Sequence, residues 1–167
     1  GYEVRVFDMN LKGFDGLEII RIIKEYDPKY IGITAVTPQI LNAYKISNLI
    51  KKNFPEKIVL FGGVHPTFLP KEAIVRGKAD YVILREGETS IVELINAIEN
   101  GNSIKKLKGI VYKKNHEIIN SPAQNFIYNL DKLSFPAYHL VPIGLYHTSE
   151  CMIPGSKKKA IHIMTSR

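Results

Sequence analysis

The sequence predicts an α/β fold built on a doubly wound parallel sheet, and three observations predict it. Short apolar runs alternate with helical patterns four times before Gly101. One of these runs, Tyr30–Val36, is apolar almost throughout, as in a strand covered on both faces of a parallel sheet. Proline or glycine marks most of the junctions, at Pro28, Pro38, Pro55, Gly62-Gly63 and Gly101. The chain has 167 residues, 45% of them hydrophobic, enough for one soluble domain with a sizeable core.

The elements follow in order. Tyr2–Asp8 alternates polar and apolar residues, which predicts a strand with one face on a core. Asp15 and Glu18 have capping-box spacing and open a helix through Tyr26, which Asp27-Pro28 ends. After the strand Tyr30–Val36, Thr37-Pro38 supplies an N-cap with proline at the first helical position. That helix carries Ala43, Ile46 and Ile50 on one face and runs to about Asn53. Lys57–Phe61 is the next strand, a short helix covers Pro70–Arg76, and Asp80–Leu84 is the fourth strand. Ile91, Leu94, Ile95 and Ile98 then recur at helical spacing until Gly101. Beyond it, Gly109–Ile119 reads as a hairpin turning at Asn115-His116, and Asp131–Tyr138 as an irregular linker. Ala160–Met164 reads as one more strand.

Composition narrows the function classes. The net charge is +7, from 23 Lys and Arg against 16 Asp and Glu. The lysine clusters lie far apart and none is interleaved with aromatic residues, so they read as solvated surface rather than a nucleic-acid face. No apolar run approaches the roughly 20 residues that span a bilayer. Cys151 is the sole cysteine, which excludes an internal disulfide, favours a reducing cytoplasm and leaves no thiol set for a metal. His116, His139, His147 and His162 share no ligand spacing.

In an open α/β sheet the ligand sits outside the carboxyl ends of the strands. Three successive ends are unusual here: Thr34-Ala-Val-Thr37-Pro-Gln39, Gly62-Gly63-Val-His65-Pro66 and Arg85-Glu86-Gly87-Glu88. Paired glycines let a ligand approach backbone closely. The hydroxyls of Thr34 and Thr37 and the carboxamide of Gln39 offer hydrogen bonds without charge. The set suits a large, flat, mostly neutral ligand with amide edges. Each residue also has a plainer reading. Gly62-Gly63 makes a simple turn, Thr37 caps a helix, and His65 caps the helix start at Pro66. Glu86 and Glu88 cap the helix from Ser90, and Gly87 serves a positive-φ turn. A phosphoacceptor domain would need an acidic residue where the Tyr30–Val36 strand ends, and Gly62-Gly63 does not extend to a dinucleotide-binding glycine pattern.

Those three strand ends, at this spacing, resemble the N-terminal cobalamin (B12)-binding domain of cobalamin-dependent radical-SAM enzymes. Gly109–Tyr112 and Leu130–Ala137 are similar to the hairpin and linker that follow that domain, and Ile161–Arg167 to the first strand of the radical-SAM barrel. The resemblance implies a flavodoxin-like, Rossmann-like cobalamin-binding domain over residues 1–103, hairpin and linker over 104–159, and barrel over 160–167. It implies cobalamin held by Thr34, Thr37, Gln39, Gly62, Gly63, His65, Glu86, Gly87 and Glu88, with no metal ligand and no catalytic residue in this chain. The family's first strand, loop and helix are expected before Gly1, with that strand lying between Tyr2–Asp8 and Tyr30–Val36. The cysteines of a [4Fe–4S] cluster, which works with S-adenosylmethionine, are expected beyond Arg167. The activity implied is methyl transfer to an unactivated carbon, or a related radical cyclisation or rearrangement, on a small-molecule substrate bound by the barrel. The alternative is a stand-alone cobalamin carrier or sensor without catalysis.

Overall fold

A computed structural model of the protein describes residues 2–13, 15–124 and 126–146. The chain divides into two compact units, Asp15–Tyr128 and a smaller one made of Gly1–Phe14 with Asn129–Arg167. The strand expected at Ala160–Met164, together with Cys151, His147 and His162, lies outside the described residues.

In the smaller unit, Tyr2–Asp8 forms no strand, contrary to its alternating pattern. Tyr2, Val4 and Val6 are about half exposed. Alternation specifies which face a strand would bury, but ladder pairing with a neighbour is what makes it a strand. The segment leads instead into a one-turn helix, α1 (Met9–Lys12). The Tyr146 hydroxyl donates to Asp8 Oδ2 at 2.7 Å, which raises the tyrosine's pKa. The linker is irregular, with short 3-10 turns at Leu130–Lys132, Tyr138–Leu140 and Ile143–Leu145.

The larger unit opens with α2 (Gly16–Tyr26), whose Asp15 cap accepts from the Glu18 amide at 2.8 Å. Asp27 closes it in the left-handed conformation, φ 46°, before Pro28. Then come β1 (Tyr30–Thr34), α3 (Ile40–Asn53), β2 (Ile58–Gly62), α4 (Val64–Phe68), α5 (Pro70–Arg76), β3 (Tyr81–Ile83) and α6 (Gly87–Glu99). The hairpin β4 (Ile110–Lys114) and β5 (Glu117–Asn120) completes the sheet, in the order β1-β2-β3-β4-β5. β1, β2 and β3 are parallel, with Tyr30 beside Ile58 and Leu60 beside Tyr81. β4 runs antiparallel to β3, so the hairpin extends the same sheet. Asn115 and His116 both have positive φ, 47° and 68°, as a two-residue turn twisted to match its strands requires.

Side-chain alternation along the strands separates two cores. Leu60, Ile83, Ile110 and Tyr112 gather with Leu94 of α6 on one face. Val59 and Phe61 face the other way, and the Phe61 ring lies 5.8 Å from Tyr44 of α3. Helices therefore cover both faces, as a doubly wound sheet requires. Phe61 and Leu94 are fully buried, each worth roughly 1.5–3 kcal/mol of transfer free energy. β1 is less covered than its composition predicts: Ile31 and Ile33 are half-buried, while Gly32 is exposed. It is one of the sheet's two edge strands among the described residues, β5 being the other.

Candidate functional site

The parallel strands bring their carboxyl ends to one side of the sheet, and side chains stitch those ends together. Past β1, the Ala35 amide donates to Gly62 O at 3.3 Å and the His65 amide to Ala35 O at 3.4 Å. This close approach explains Gly63, whose φ is 92°. A Cβ there would lie 2.6 Å from Thr34 Oγ1 and 3.1 Å from Ala35 O. Gly63 is thus required by the fold itself. Gly62 differs, because a Cβ built on it meets no heavy atom within 4 Å.

Thr37 is not a helix cap. Val36 occupies the N-cap position of the 3-10 turn Thr37–Gln39, because proline after Thr37 directs the chain into that turn one residue early. The Thr37 hydroxyl is left to pair with His65, Oγ1 to Nδ1 at 3.2 Å. His65 does not cap a helix either, because α4 already starts at Val64 and encloses it. The imidazole is 93% buried, and among the described residues its Nε2 has no hydrogen-bond partner. A buried polar atom left this way is costly unless something completes it. The hydroxyl at Nδ1 accepts or donates, so Nε2 is able to present either a lone pair or an N–H to a ligand.

The third strand end is tied to the second through a residue that the sequence reading did not single out. Thr67 Oγ1 accepts from the Arg85 amide at 3.0 Å. Arg85, rather than Gly87, takes the left-handed conformation, φ 57°. Gly87 is the first residue of α6, where a Cβ would come within 3.1 Å of Ile83 Cγ2. The helix begins three residues before Ser90, and Glu86 at its N-cap makes no side-chain cap. Glu86 Oε2 instead accepts from the Ile127 amide at 2.9 Å. Glu88 lies in the first turn, where the helix dipole favours a carboxylate.

The structure thus draws Thr34, Thr37, Gly62, Gly63 and His65 together at the ends of β1 and β2, with Thr37, His65 and Gly62 linked by hydrogen bonds through each other and Ala35. Gln39 ends the 3-10 turn that Thr37 begins. Glu86, Gly87 and Glu88 belong to the neighbouring end of β3. Val36, just after β1, and Val64 and Phe68 of α4 are 45%, 57% and 77% exposed. At the ends of β1 and β2, hydroxyls, open backbone at Gly62 and the apolar side chains of Val36, Val64 and Phe68 make a neutral, amphipathic rim. That chemistry is compatible with a corrinoid, whose flat ring carries amide side chains. Among the described residues, no three His, Cys, Asp or Glu side chains gather to hold a metal ion. No helix there is long and apolar enough to cross a membrane.

Residues 1–95 match the family described as the B12 binding domain. The chain belongs to that family. It is 32% identical over 146 residues to an uncharacterized methyltransferase of Pyrococcus horikoshii, covering 87% of this chain and 32% of that protein. It is 25% identical over 137 residues to the anaerobic magnesium-protoporphyrin IX monomethyl ester cyclase of Synechocystis, covering 78% of this chain and 27% of the cyclase. The radical S-adenosylmethionine methyltransferase TsrM from Kitasatospora setae, solved with cobalamin and a [4Fe-4S] cluster bound, superposes with a TM-score of 0.66 at 19% identity. That superposition covers 80% of this chain and 25% of TsrM, and it is a likeness of fold. The chain spans about a third or less of the length of these curated relatives.

Proposed function

We propose that this B12-binding domain holds cobalamin at the carboxyl ends of β1, β2 and β3 and presents it to a radical-SAM barrel in a larger enzyme. The observation that carries this reading is the buried His65, held by Thr37 at one nitrogen and unsatisfied at the other, beside open backbone at Gly62. Thr34, Thr37, Gln39, Gly62 and His65 would face the cofactor, Gly63 would set the loop, and Glu86, Gly87 and Glu88 would complete the rim. Cobalamin, when bound, supplies cobalt-centred redox and group-transfer chemistry. The chain's own residues supply binding, orientation and exclusion of water.

The boundaries that go with this reading are 1–103 for the cobalamin domain, 104–159 for hairpin and linker, and 160–167 for the first barrel strand. The enzyme would use a [4Fe–4S] cluster and S-adenosylmethionine for methyl transfer or cyclisation of a small molecule. Methyltransferase and cyclase relatives support that reaction class. The scattered lysines support a small-molecule partner over nucleic acid, and the single cysteine supports a cytoplasmic setting.

Gly62→Val in the full-length protein tests the pocket. A side chain there enters space the protein leaves open, so the melting point without cofactor should stay within about 2 °C, an effect below roughly 0.5 kcal/mol. Hydroxocobalamin binding, followed in the visible spectrum, should weaken at least tenfold, about 1.4 kcal/mol. Unaltered binding would make the loop a plain turn. Absence of binding by the wild type would mean a cobalamin fold that does not hold its cofactor.

A further inference from the structure

Beyond the glycines and His65, the turn between β3 and α6 reaches in two directions. On one side its backbone is held by the β2 loop through Thr67 Oγ1 and the Arg85 amide. On the other, Arg85 and Glu86 of the turn and Ser90 of α6 hold Gln124, Phe126 and Ile127. The Arg85 guanidinium lies 5.6 Å from the centre of the Phe126 ring, Glu86 Oε2 accepts from the Ile127 amide, and the Ser90 hydroxyl donates to Gln124 Oε1 at 2.7 Å. Ser90 is fully buried and Phe126 is 58% exposed, so Gln124, Phe126 and Ile127 make a strap anchored at Gln124 and open at the Phe126 ring.

Arg85 is the weak point of this arrangement. An L-residue with a long side chain avoids the left-handed region, where Cβ crowds the carbonyl oxygen. Such a conformation persists only where the surroundings impose it. The Thr67 hydroxyl is the side chain that meets the Arg85 amide, and it comes from the helical turn that also carries the unsatisfied His65. Resting on the cofactor reading above, we propose that Thr67 is a positioning residue that couples the cobalamin pocket to the strap. By fixing Arg85 left-handed, it aims Arg85 and Glu86 at Phe126 and Ile127. Cofactor binding against the β2 loop then stabilises strap docking, and strap docking strengthens cofactor binding by the same factor, as linkage demands.

The experiment compares Thr67→Val, which keeps the shape and removes the acceptor, with Thr67→Ser, which keeps the acceptor, in the full-length protein. Two readouts are taken: hydrogen exchange of the Ile127 amide with and without hydroxocobalamin, and hydroxocobalamin affinity from the visible spectrum. In Thr67→Val the Ile127 amide should exchange at least tenfold faster and affinity should fall about fivefold, with both restored within twofold by Thr67→Ser. Hydroxocobalamin should slow Ile127 exchange in the wild type and not in Thr67→Val. A purely structural role for Thr67 would not single out Ile127. The Ile110 amide, bonded to Ser121 Oγ at 2.8 Å, is therefore the internal control and should not change. In an Arg85→Gly background, where glycine takes the left-handed region unaided, Thr67→Val should add less than twofold at Ile127. A full tenfold effect there, unchanged Ile127 exchange in Thr67→Val alone, or failure of Thr67→Ser to restore it would each overturn the proposal. If the wild type binds no hydroxocobalamin while Thr67→Val still frees Ile127, the cofactor reading falls and the link from Thr67 to the strap stands.

Discussion

The two ends of the parallel sheet use their polar groups in opposite ways. At the amino end every strand start is tied down by charge. Asp80, just before β3, accepts from the Val59 amide of β2 at 2.7 Å and from the Lys51 ammonium of α3 at 2.9 Å. Lys51 also donates to the Lys57 carbonyl, and the Lys57 ammonium pairs with Asp27. At the start of β1 the Tyr30 hydroxyl and the Lys29 ammonium both bond Glu99, which lowers that carboxyl's pKa. At the carboxyl ends of β1 and β2 the contacts are between hydroxyls, backbone and an imidazole, and one buried nitrogen has no partner among the described residues. At the end of β3 the Glu86 carboxylate reaches away to the Ile127 amide. One end is completed by the protein's own ions; the other leaves His65 Nε2 without a partner among the described residues, where the proposed cofactor would sit. The same strands thus give a closed anchor and an open site, which is the division of labour that open α/β sheets exploit.

The largest expected effect probes where the two roles meet. Gly63→Val combines a φ near 92° with a Cβ driven against Thr34 and the Ala35 backbone. It should cost about 3 kcal/mol of stability by strain and overpacking together, read as a large drop in melting temperature without ligand. An unchanged melt would contradict the strained loop. Set beside Gly62→Val, it separates a glycine the fold needs from one that leaves space beside the backbone.

Asp80→Ala is the next largest. Removing the carboxylate strands the Lys51 ammonium and the Val59 amide, and should cost about 2 kcal/mol in urea denaturation. Hydroxocobalamin affinity of the folded variant should stay within twofold, because the change lies at the opposite strand ends. A tenfold loss of affinity would break the separation between anchor and site.

The smallest effect concerns Tyr44, whose hydroxyl is buried and has no partner among the described residues. Burial chiefly, with the Glu72 charge adding and Arg76 opposing, raises its pKa to about 12. The folded value exceeds the unfolded one of 10.0, so the protonated phenol's contribution is whole below pH 10 and drains away as pH rises through 12. By pH 11 the wild type should lose about 1 kcal/mol from this group. Tyr44→Phe should lack that alkaline decline and gain about 1 kcal/mol at pH 7 by removing the orphaned hydroxyl. Parallel alkaline curves for the two proteins would refute the assignment.

Local signals in the sequence were the ones that translated directly. Asp15 and Glu18 form the expected cap at 2.8 Å, and Asn115-His116 makes the expected turn, because both depend on neighbours a few residues apart. The three strand ends were legible as a set, since glycine and threonine after an apolar run carry meaning without knowledge of packing. What failed depended on distant partners. Tyr2–Asp8 has the pattern of a strand and forms none. Thr37 was spaced as a cap and serves His65 instead, 28 residues away. Gly87 looked like the positive-φ residue, yet Arg85 takes that role because Thr67 stabilises it, and no property of arginine announces this. Glu86 looked like a cap or a ligand contact, and its bond to Ile127 crosses 41 residues.

The antiparallel hairpin also bears on how the chain is made. Synthesis delivers β1, β2 and β3 before β4 and β5, so β3 leaves the ribosome with one side unpaired. Tyr81, Val82 and Ile83 then present an apolar strand with open amides and carbonyls, the kind of template on which nascent chains stick to one another. The tight Asn115-His116 turn lets β4 and β5 zip on the microsecond timescale of isolated hairpins. Val82 then meets Val111, and Ile83 meets Ile110. The hairpin therefore acts during translation as a fast-setting cover, sealing the sheet at a moment when parallel pairing on that side would have required another long crossover to be synthesised first.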